Sequence, residues 1–383
     1  MTQVGVFLCG GSMKVGIPAE TIEGETRVAA TPDTVRRLVA RSLQVVVQAG
    51  AGIHASIPDE AYEQAGAVIT DAQEALSSDI VFKVRAPTDA ELPLMRSGAV
   101  LIGMLNPYDA DRIAKMAEKG LTAFALEAAP RITRAQTLDV LSSQSNIAGY
   151  KAVILAADRY QRFLPMLMTA AGTVKAARVL IMGVGVAGLQ AIATAKRLGA
   201  VIEASDVRPA VKEEVESLGA KFIDVPYETD EEREIAEGIG GYARPMPESW
   251  MKRQAALVHE RAKVADIIIT TALIPGRKAP VLISEETVKA MKPGSVIVDM
   301  AVEQGGNCPL SELGKTVTKH GVHIIGIPNL ATLAAADASA LYARNLLDFL
   351  NLILDKESNL SINLEDEIVL ATRMCANGEV FRK

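Results

Sequence analysis

From Met13 onward, short apolar runs of β-forming residues alternate with longer segments whose apolar residues recur every three or four positions. The first pattern suits strands and the second suits amphipathic helices. In the first half the runs predict strands at Lys14–Pro18, Gln44–Gln48, Val68–Thr70, Ile80–Val84, Val100–Leu105 and Thr122–Leu126. Val35, Leu38 and Val39, then Ile113, Met116 and Ala117, mark helices between them, with start signals at Pro32-Asp33 and Asp109. A second series predicts strands at Val179–Met182, Val201–Ala204, Lys221–Val225, Asp266–Thr271, Ser295–Met300 and Val322–Ile325. Such alternation builds βαβ units and mostly parallel sheets.

Residues 131–173 break the rhythm: they are mostly helix-compatible and bridge the two series. A closing helix at Ala335–Leu354 is long enough to return to the first domain. The expected architecture is α/β, with two Rossmann-like domains, parallel sheets and a cleft between them. Residues 1–146 with 332–383 make the N-terminal domain and 147–331 the second, with hinges near 147 and 331. Cofactors commonly sit in such clefts.

Composition narrows the partners. At roughly 150 residues per domain, 383 residues fit this division, and a net charge of −6 offers no general attraction to nucleic acid. Cys9, Cys308 and Cys375 lie far apart without metal-ligand spacing, which argues against a structural metal and for a reducing, intracellular compartment. No apolar run approaches the ~18–20 residues of a membrane span. The first twelve residues are too short in apolar length for a signal peptide, and read as a leader or an appended stretch. The last residues, the charged segment DEIVLATRMCANGEVFRK, read as a soluble terminus.

One motif carries chemistry. Arg178 to Asp206 reads RVLIMGVGVAGLQAIATAKRLGAVIEASD: an apolar strand, Gly183-x-Gly185-x-x-Gly188, a helix and a second strand. The first glycine permits the tight turn, the second lets backbone approach a pyrophosphate, and the third allows close helix–strand contact. Asp206 follows Gly188 by 18 residues, close to the spacing of the carboxylate that accepts from adenosine ribose hydroxyls. That carboxylate favours NAD(H), whereas Arg208 could hold a 2′-phosphate. The bland alternative makes the glycines turn residues and Asp206 a cap.

With its surroundings the motif resembles a known family. VGIPAETIEGETRVAATPDTV, FKVRAP, the fingerprint and VDMAVEQGGNCPLS together resemble the alanine dehydrogenase and proton-translocating nicotinamide nucleotide transhydrogenase superfamily. The resemblance spans the chain from about Met13. Pro130–Tyr150, Thr270–Ile283 and Glu237–Met246 look like the NAD(H)-binding part of transhydrogenase rather than alanine dehydrogenase.

The resemblance implies that Arg131, Gln136 and Asp139, followed by Ser142 and Tyr150, engage the nicotinamide end of NAD(H). It implies nucleotide contacts from Gly183, Gly185, Val186, Gly188, Asp206, Val207, Arg208, Thr271, Ala272 and Leu273. Gly238–Met246 would be a mobile loop, with Tyr242 and Met246 touching the nucleotide. One fingerprint serves one nucleotide, so NADP(H) is expected on a partner domain and proton movement in a separate membrane domain. The chain would be a homodimer, cytoplasmic and peripheral on the inner face of the membrane, without a transmembrane segment of its own.

Two rival readings stand beside this one: an alanine dehydrogenase, and a non-catalytic NAD-sensing module. Oxidising an amino acid requires a proton acceptor. Where alanine dehydrogenases use a histidine and an aspartate, this chain places Asn106 and Glu303. His54, His259, His320 and His323 lie in no recognisable catalytic loop. Hydride passage between two nicotinamides releases no substrate proton, so alignment of the rings is the main requirement. Arg27 and Lys83 could grip a substrate carboxylate or form surface or interdomain ion pairs.

Overall fold

The computed structural model describes residues 12–237, 246–274 and 276–382. They form two compact units: one runs up to Gln144 and resumes at Thr332, and the other is Ser145–Ala331. The boundary falls inside a long helix, Val140–Arg159.

The first unit begins with β1 (Lys14–Ile17), β2 (Gln44–Gln48), β3 (Val68–Thr70), β4 (Ile80–Arg85), β5 (Val100–Met104) and β6 (Thr122–Ala125). The second contains β7 (Leu167–Thr169), β8 (Gly172–Val174), β9 (Arg178–Met182), β10 (Val201–Ser205) and β11 (Lys221–Phe222). It continues with β12 (Ile267–Thr270), β13 (Val296–Asp299), β14 (Lys315–Lys319) and β15 (Val322–Gly326). The chain closes in the first unit with β16 (Arg373–Ala376) and β17 (Glu379–Val380).

Among the described residues the first sheet runs β17-β16-β6-β5-β4-β1-β2-β3. From β1 the chain winds outward through β2 and β3, then returns to build β4, β5 and β6 on the other side, all in parallel. The winding direction therefore reverses between β1 and β4, the switch point of a doubly wound sheet. Both faces are buried, as a parallel sheet requires. Ile80, Phe82 and Val84 face one core, while Val81, Leu101 and Ala123 face another with Ile113 and Met116.

The closing helix, Ala335–Leu352, belongs to this first unit. Phe349 packs 5.1 Å from Phe124, and the Tyr342 hydroxyl donates to the Lys83 carbonyl (2.7 Å) while accepting from the Met104 amide (3.0 Å). A buried hydroxyl bridging β4 and β5 fixes the helix's rotation as well as its position.

The second sheet runs β11-β10-β9-β12-β13-β15-β14, with its switch point between β9 and β12. Val179, Ile181, Ile267 and Ile269 pack on Ala191, Ile192 and Ala195 of the helix Val186–Arg197. Leu180, Ile268, Ile297 and Ile324 pack on Val258, Ala262 and Val288 of the opposite layer.

The sheets are mostly parallel, as the alternation predicts, with antiparallel pairs where β14 meets β15 and where β16 meets β6 and β17. The C-terminal segment is folded into the first unit: Glu367–Thr372 is helical, and Met374 and Cys375 are fully buried beside β6. Two expectations require correction. Helix in the bridge ends at Arg159, and β7 and β8 form a hairpin instead. The strand expected to reach Val225 ends at Phe222, where the chain leaves an edge position ahead of Pro226.

Candidate nucleotide site

The C-terminal ends of β9, β10 and β12 bring one group of expected residues together. Gly183 follows β9 at φ +95°, and a Cβ there would lie 2.6 Å from the Thr271 hydroxyl oxygen. Gly188 sits in the first turn of the helix Val186–Arg197, where a Cβ would come within 2.0 Å of the Gly183 carbonyl oxygen. At Gly185, by contrast, an added Cβ meets no atom of the described residues within 4 Å. Two glycines are thus required by protein atoms, and one faces open space among the described residues.

Gly185 is also the N-cap of that helix, and no described side chain caps it. The leading amides of an uncapped helix, with the positive end of its dipole, form a ready anion site. The fit to a pyrophosphate therefore rests on three features: backbone that can be approached, amides without a capping side chain, and room beside Gly185.

Asp206 follows β10 and is well buried at 7 % side-chain exposure. Its Oδ2 accepts from the Val184 amide (2.7 Å) and Arg208 Nη2 (2.9 Å), and its Oδ1 accepts from the Arg208 amide and Nε (both 2.9 Å). Arg208 Nη2 also donates to the Val184 carbonyl (3.1 Å). Hydrogen bonding to Asp206 lifts the guanidinium above its ordinary pKa. Arg208 stays charged, but its charge is already paired with Asp206, which weakens the case for a bound 2′-phosphate. The carboxylate holds about four contacts, near its acceptor capacity, so a ribose diol would exchange with part of the guanidinium contact.

Thr271 donates its hydroxyl to the Gly183 carbonyl (2.9 Å), which joins the ends of β9 and β12. Thr271 and Ala272 are half-buried, and Leu273 is exposed. Val186 is exposed, while Val207 packs on the small cluster Val225, Ala236, Met246 and Trp250. Met246 is buried in that cluster. Tyr242, with 238–245, lies outside the described residues.

The loop expected at the nicotinamide end belongs to the first unit. Asp139 precedes the helix Val140–Arg159 and caps it: Oδ1 accepts from the Ser142 amide (2.9 Å) and Oδ2 from its hydroxyl (2.6 Å). Arg131 is exposed just ahead of the 3₁₀ helix Thr133–Leu138, and Gln136 is exposed within it. Tyr150 is exposed further along the same helix, within the second unit. The contacts thus pair Asp139 with Ser142.

Arg27 and Lys83 form neither surface nor interdomain pairs. Arg27 makes a two-pronged contact with Glu25 (2.7 Å each) and donates to Gln144 (2.8 Å). Lys83 reaches Glu91 at 2.8 Å and Glu20 at 3.3 Å. All are buried inside the first unit. Burial raises the Glu20 pKa, whereas at Glu25 and Glu91 the adjoining Arg27 and Lys83 outweigh burial and hold the carboxyls low. Asn106 occupies a left-handed turn (φ 57°), and its amide donates to Glu127 (2.7 Å). Burial pushes the Glu127 carboxyl up to about 7.

Three of the histidines have polar partners away from this group: His259 on Thr287, His320 on Glu285, and His323 on Thr318 and Arg159. Among the described residues no cluster of His, Cys, Asp and Glu could hold a metal. Sequence reasoning missed Asp299 and Asn307. Both stand in VDMAVEQGGNCPLS, a segment that marked the family without revealing what either side chain does.

Comparison with known proteins agrees with this architecture. The family models described as alanine dehydrogenase/PNT N-terminal and C-terminal domains match residues 16–148 and 152–383. An NAD(P) transhydrogenase subunit alpha protein of Rhodospirillum rubrum is 53 % identical over 377 residues, covering 96 % of this chain and 97 % of that protein. A crystal structure of transhydrogenase from Sinorhizobium meliloti superposes with a TM-score of 0.87 at 50 % identity, covering 96 % of this chain and 99 % of that one. Alanine dehydrogenase of Bacillus subtilis is more distant, 31 % identical over 86 % of this chain and 85 % of its own length. With a nucleotide-type glycine turn, a doubly wound α/β fold and whole-length similarity to transhydrogenase alpha subunits, the chain belongs to the alanine dehydrogenase/NAD(P) transhydrogenase family of oxidoreductases.

Proposed function

We propose that this chain is the NAD(H)-binding component of a proton-translocating transhydrogenase, exchanging hydride between NADH and NADP+ held on a partner domain. The observation that carries the reading is the uncapped helix behind Gly183-x-Gly185-x-x-Gly188, with Asp206 and its bound Arg208 at the neighbouring strand end. Bound NADH supplies the hydride. The helix amides and Gly185 receive the pyrophosphate, and Asp206 accepts from the adenosine ribose. Arg131, Gln136, Asp139, Ser142 and Tyr150 orient the nicotinamide. Orientation suffices because no substrate proton has to be removed. That Asn106 stands where the dehydrogenases use a histidine supports this choice over amino-acid oxidation.

The wider assembly follows from the same reading. NADP(H) sits on a separate domain and a membrane domain moves the proton. No helix among the described residues is long and apolar enough to cross a membrane. The chain works at the cytoplasmic side, peripheral on the inner face of the membrane. A second copy of the chain covers the β7–β8 hairpin, where Leu167, Met168 and Val174 are exposed, with Phe163 and Met166 exposed just ahead of it. Large exposed apolar patches mark interaction sites.

The test is to mix the purified chain with a transhydrogenase NADP(H)-binding domain and follow hydride from NADH to a spectrally distinct NADP+ analogue. Transfer that requires both proteins is expected. Tight NADH binding without transfer would point to a sensing module, and NADH oxidation by pyruvate and ammonium would point to alanine dehydrogenase.

A further inference from the structure

Asp299 ends β13 fully buried, and its carboxylate gathers the loop that follows. Oδ1 accepts from the amides of Ala301 (3.0 Å) and Asn307 (3.1 Å), and from the Thr270 hydroxyl at 3.4 Å. Oδ2 accepts from the Cys308 amide (3.0 Å) and the Ser311 hydroxyl (2.6 Å). The loop is held so that the Asn307 side chain reaches the segment leaving β12. Its Nδ2 donates to the carbonyls of Ala272 (2.9 Å) and Pro280 (2.8 Å).

These two bonds use both hydrogens of the amide. Asn307 Oδ1, in contrast, is buried without a partner among the described residues. A stranded acceptor is unfavourable, yet the opposite orientation would set an oxygen against two carbonyl oxygens. The arrangement keeps a donor pair on the Ala272 segment although an acceptor is left unmade.

Ala272 adjoins Thr271, whose hydroxyl donates to the Gly183 carbonyl. Asn307 is therefore two links from the fingerprint turn, and those links cross the switch point between β9 and β12. Ligands of doubly wound sheets bind at that point, outside the carboxyl ends of the strands.

We propose that Asn307 is a positioning residue for the dinucleotide: held by Asp299, it fixes the Thr271–Leu273 segment against the Gly183–Gly188 turn, and NAD(H) affinity depends on that spacing. The inference rests on the reading of the fingerprint as an NAD(H) site. A role confined to the fold would cost stability alone. Positioning costs affinity in protein that is still folded.

The experiment compares Asn307→Ala and Asn307→Asp with the unaltered full chain and with Ser284→Ala. Ser284 caps the helix Glu285–Ala290 through the Thr287 amide, so its loss destabilises the same unit without touching the Ala272 segment. NADH binding is measured by calorimetry below every unfolding midpoint. The expected Kd for NADH rises about tenfold in Asn307→Ala and further in Asn307→Asp, whose carboxylate repels both carbonyls. Asn307→Ser, which keeps one donor, falls between, and Ser284→Ala binds as the unaltered chain does. With the NADP(H)-binding domain added, the loss appears in KM for NADH and leaves kcat within about twofold. The proposal is overturned if the Asn307 variants bind NADH like the unaltered chain. It also fails if affinity falls equally in Ser284→Ala, or if the variants merely unfold with no folded state of reduced affinity. If the unaltered chain itself does not bind NADH, the reading of the fingerprint falls first.

Discussion

The two units are built on the same winding, and their switch points have opposite contents. In the first, the strand ends at β1 and β4 are filled with charge: Lys83 between Glu91 and Glu20, and Glu25 shared by Arg27 and Arg85. In the second, the ends at β9 and β12 carry a glycine turn, an uncapped helix and space beside Gly185. Topology supplies the location of a site, and local residues decide whether that location is packed shut or left for a ligand. Buried ion pairs add little net stability but are costly to break. They make the first switch point a fixed piece of interior.

This contrast can be broken most severely at the glycines. Gly188→Ala forces a methyl against the Gly183 carbonyl; it should abolish detectable NADH binding and lower stability by roughly 1–3 kcal/mol. Gly185→Ala meets no described protein atom, so the unfolding midpoint should stay within about 2 °C while NADH affinity drops about tenfold or more. Calorimetry with thermal unfolding separates the two. Equal behaviour of both variants would mean that the space beside Gly185 receives no ligand.

The next largest effect belongs to the first unit. Lys83→Met strands Glu20 and Glu91 and should cost roughly 3–5 kcal/mol in denaturant unfolding, with the NADH Kd of the folded protein unchanged. A large change in Kd would show that the filled switch point also serves the nucleotide. Smaller is Asp206→Asn, which releases Arg208 from its carboxylate partner. Preference for NADH over NADPH, read as a ratio of Kd values, should fall by about tenfold.

The smallest effect sharpens the electrostatics of the first unit. Glu127 has its pKa raised by burial from 4.5 to about 7. Between those values the folded state keeps a proton that the unfolded chain has released, so this group makes stability fall as pH rises through that window. Glu127→Gln should flatten the stability profile there and leave the variant relatively more stable above it. An unchanged profile would remove Glu127 as the source.

Strands with β-branched residues were legible where they are central. Gln44–Gln48 appears with the expected ends, because a parallel strand paired on both sides is buried and apolar on both faces; Val68–Thr70 also keeps its expected ends, although it is a part-exposed edge strand. Lys315–Lys319 was not legible: an edge strand can alternate lysine with threonine and valine, and it takes its conformation from pairing with β15. The C-terminal strands were likewise hidden, since Met374 and Cys375 acquire an apolar setting only beside β6.

Of the candidate site, the glycine turn and Asp206 could be read directly, because their spacing lies within one βαβ unit. The commitment of Arg208 to Asp206, rather than to a phosphate, could not be read from spacing. Lys83 and Glu20 are distant in sequence, and nothing local distinguishes a buried lysine from an exposed one.

By itself the sequence determined the alternation of strand and helix, the position of the fingerprint and the family to which they belong. These are local properties: hydrophobic period, turn chemistry and short-range spacing act within a few tens of residues. Only the tertiary structure decided which carboxylate meets which cation, that Asp139 caps the helix it precedes, and that Asp299 presents Asn307 to the carbonyl of Ala272. Hydrogen bonds and ion pairs depend on direction and on distances of a few ångströms, and folding sets those between segments that the linear order leaves apart.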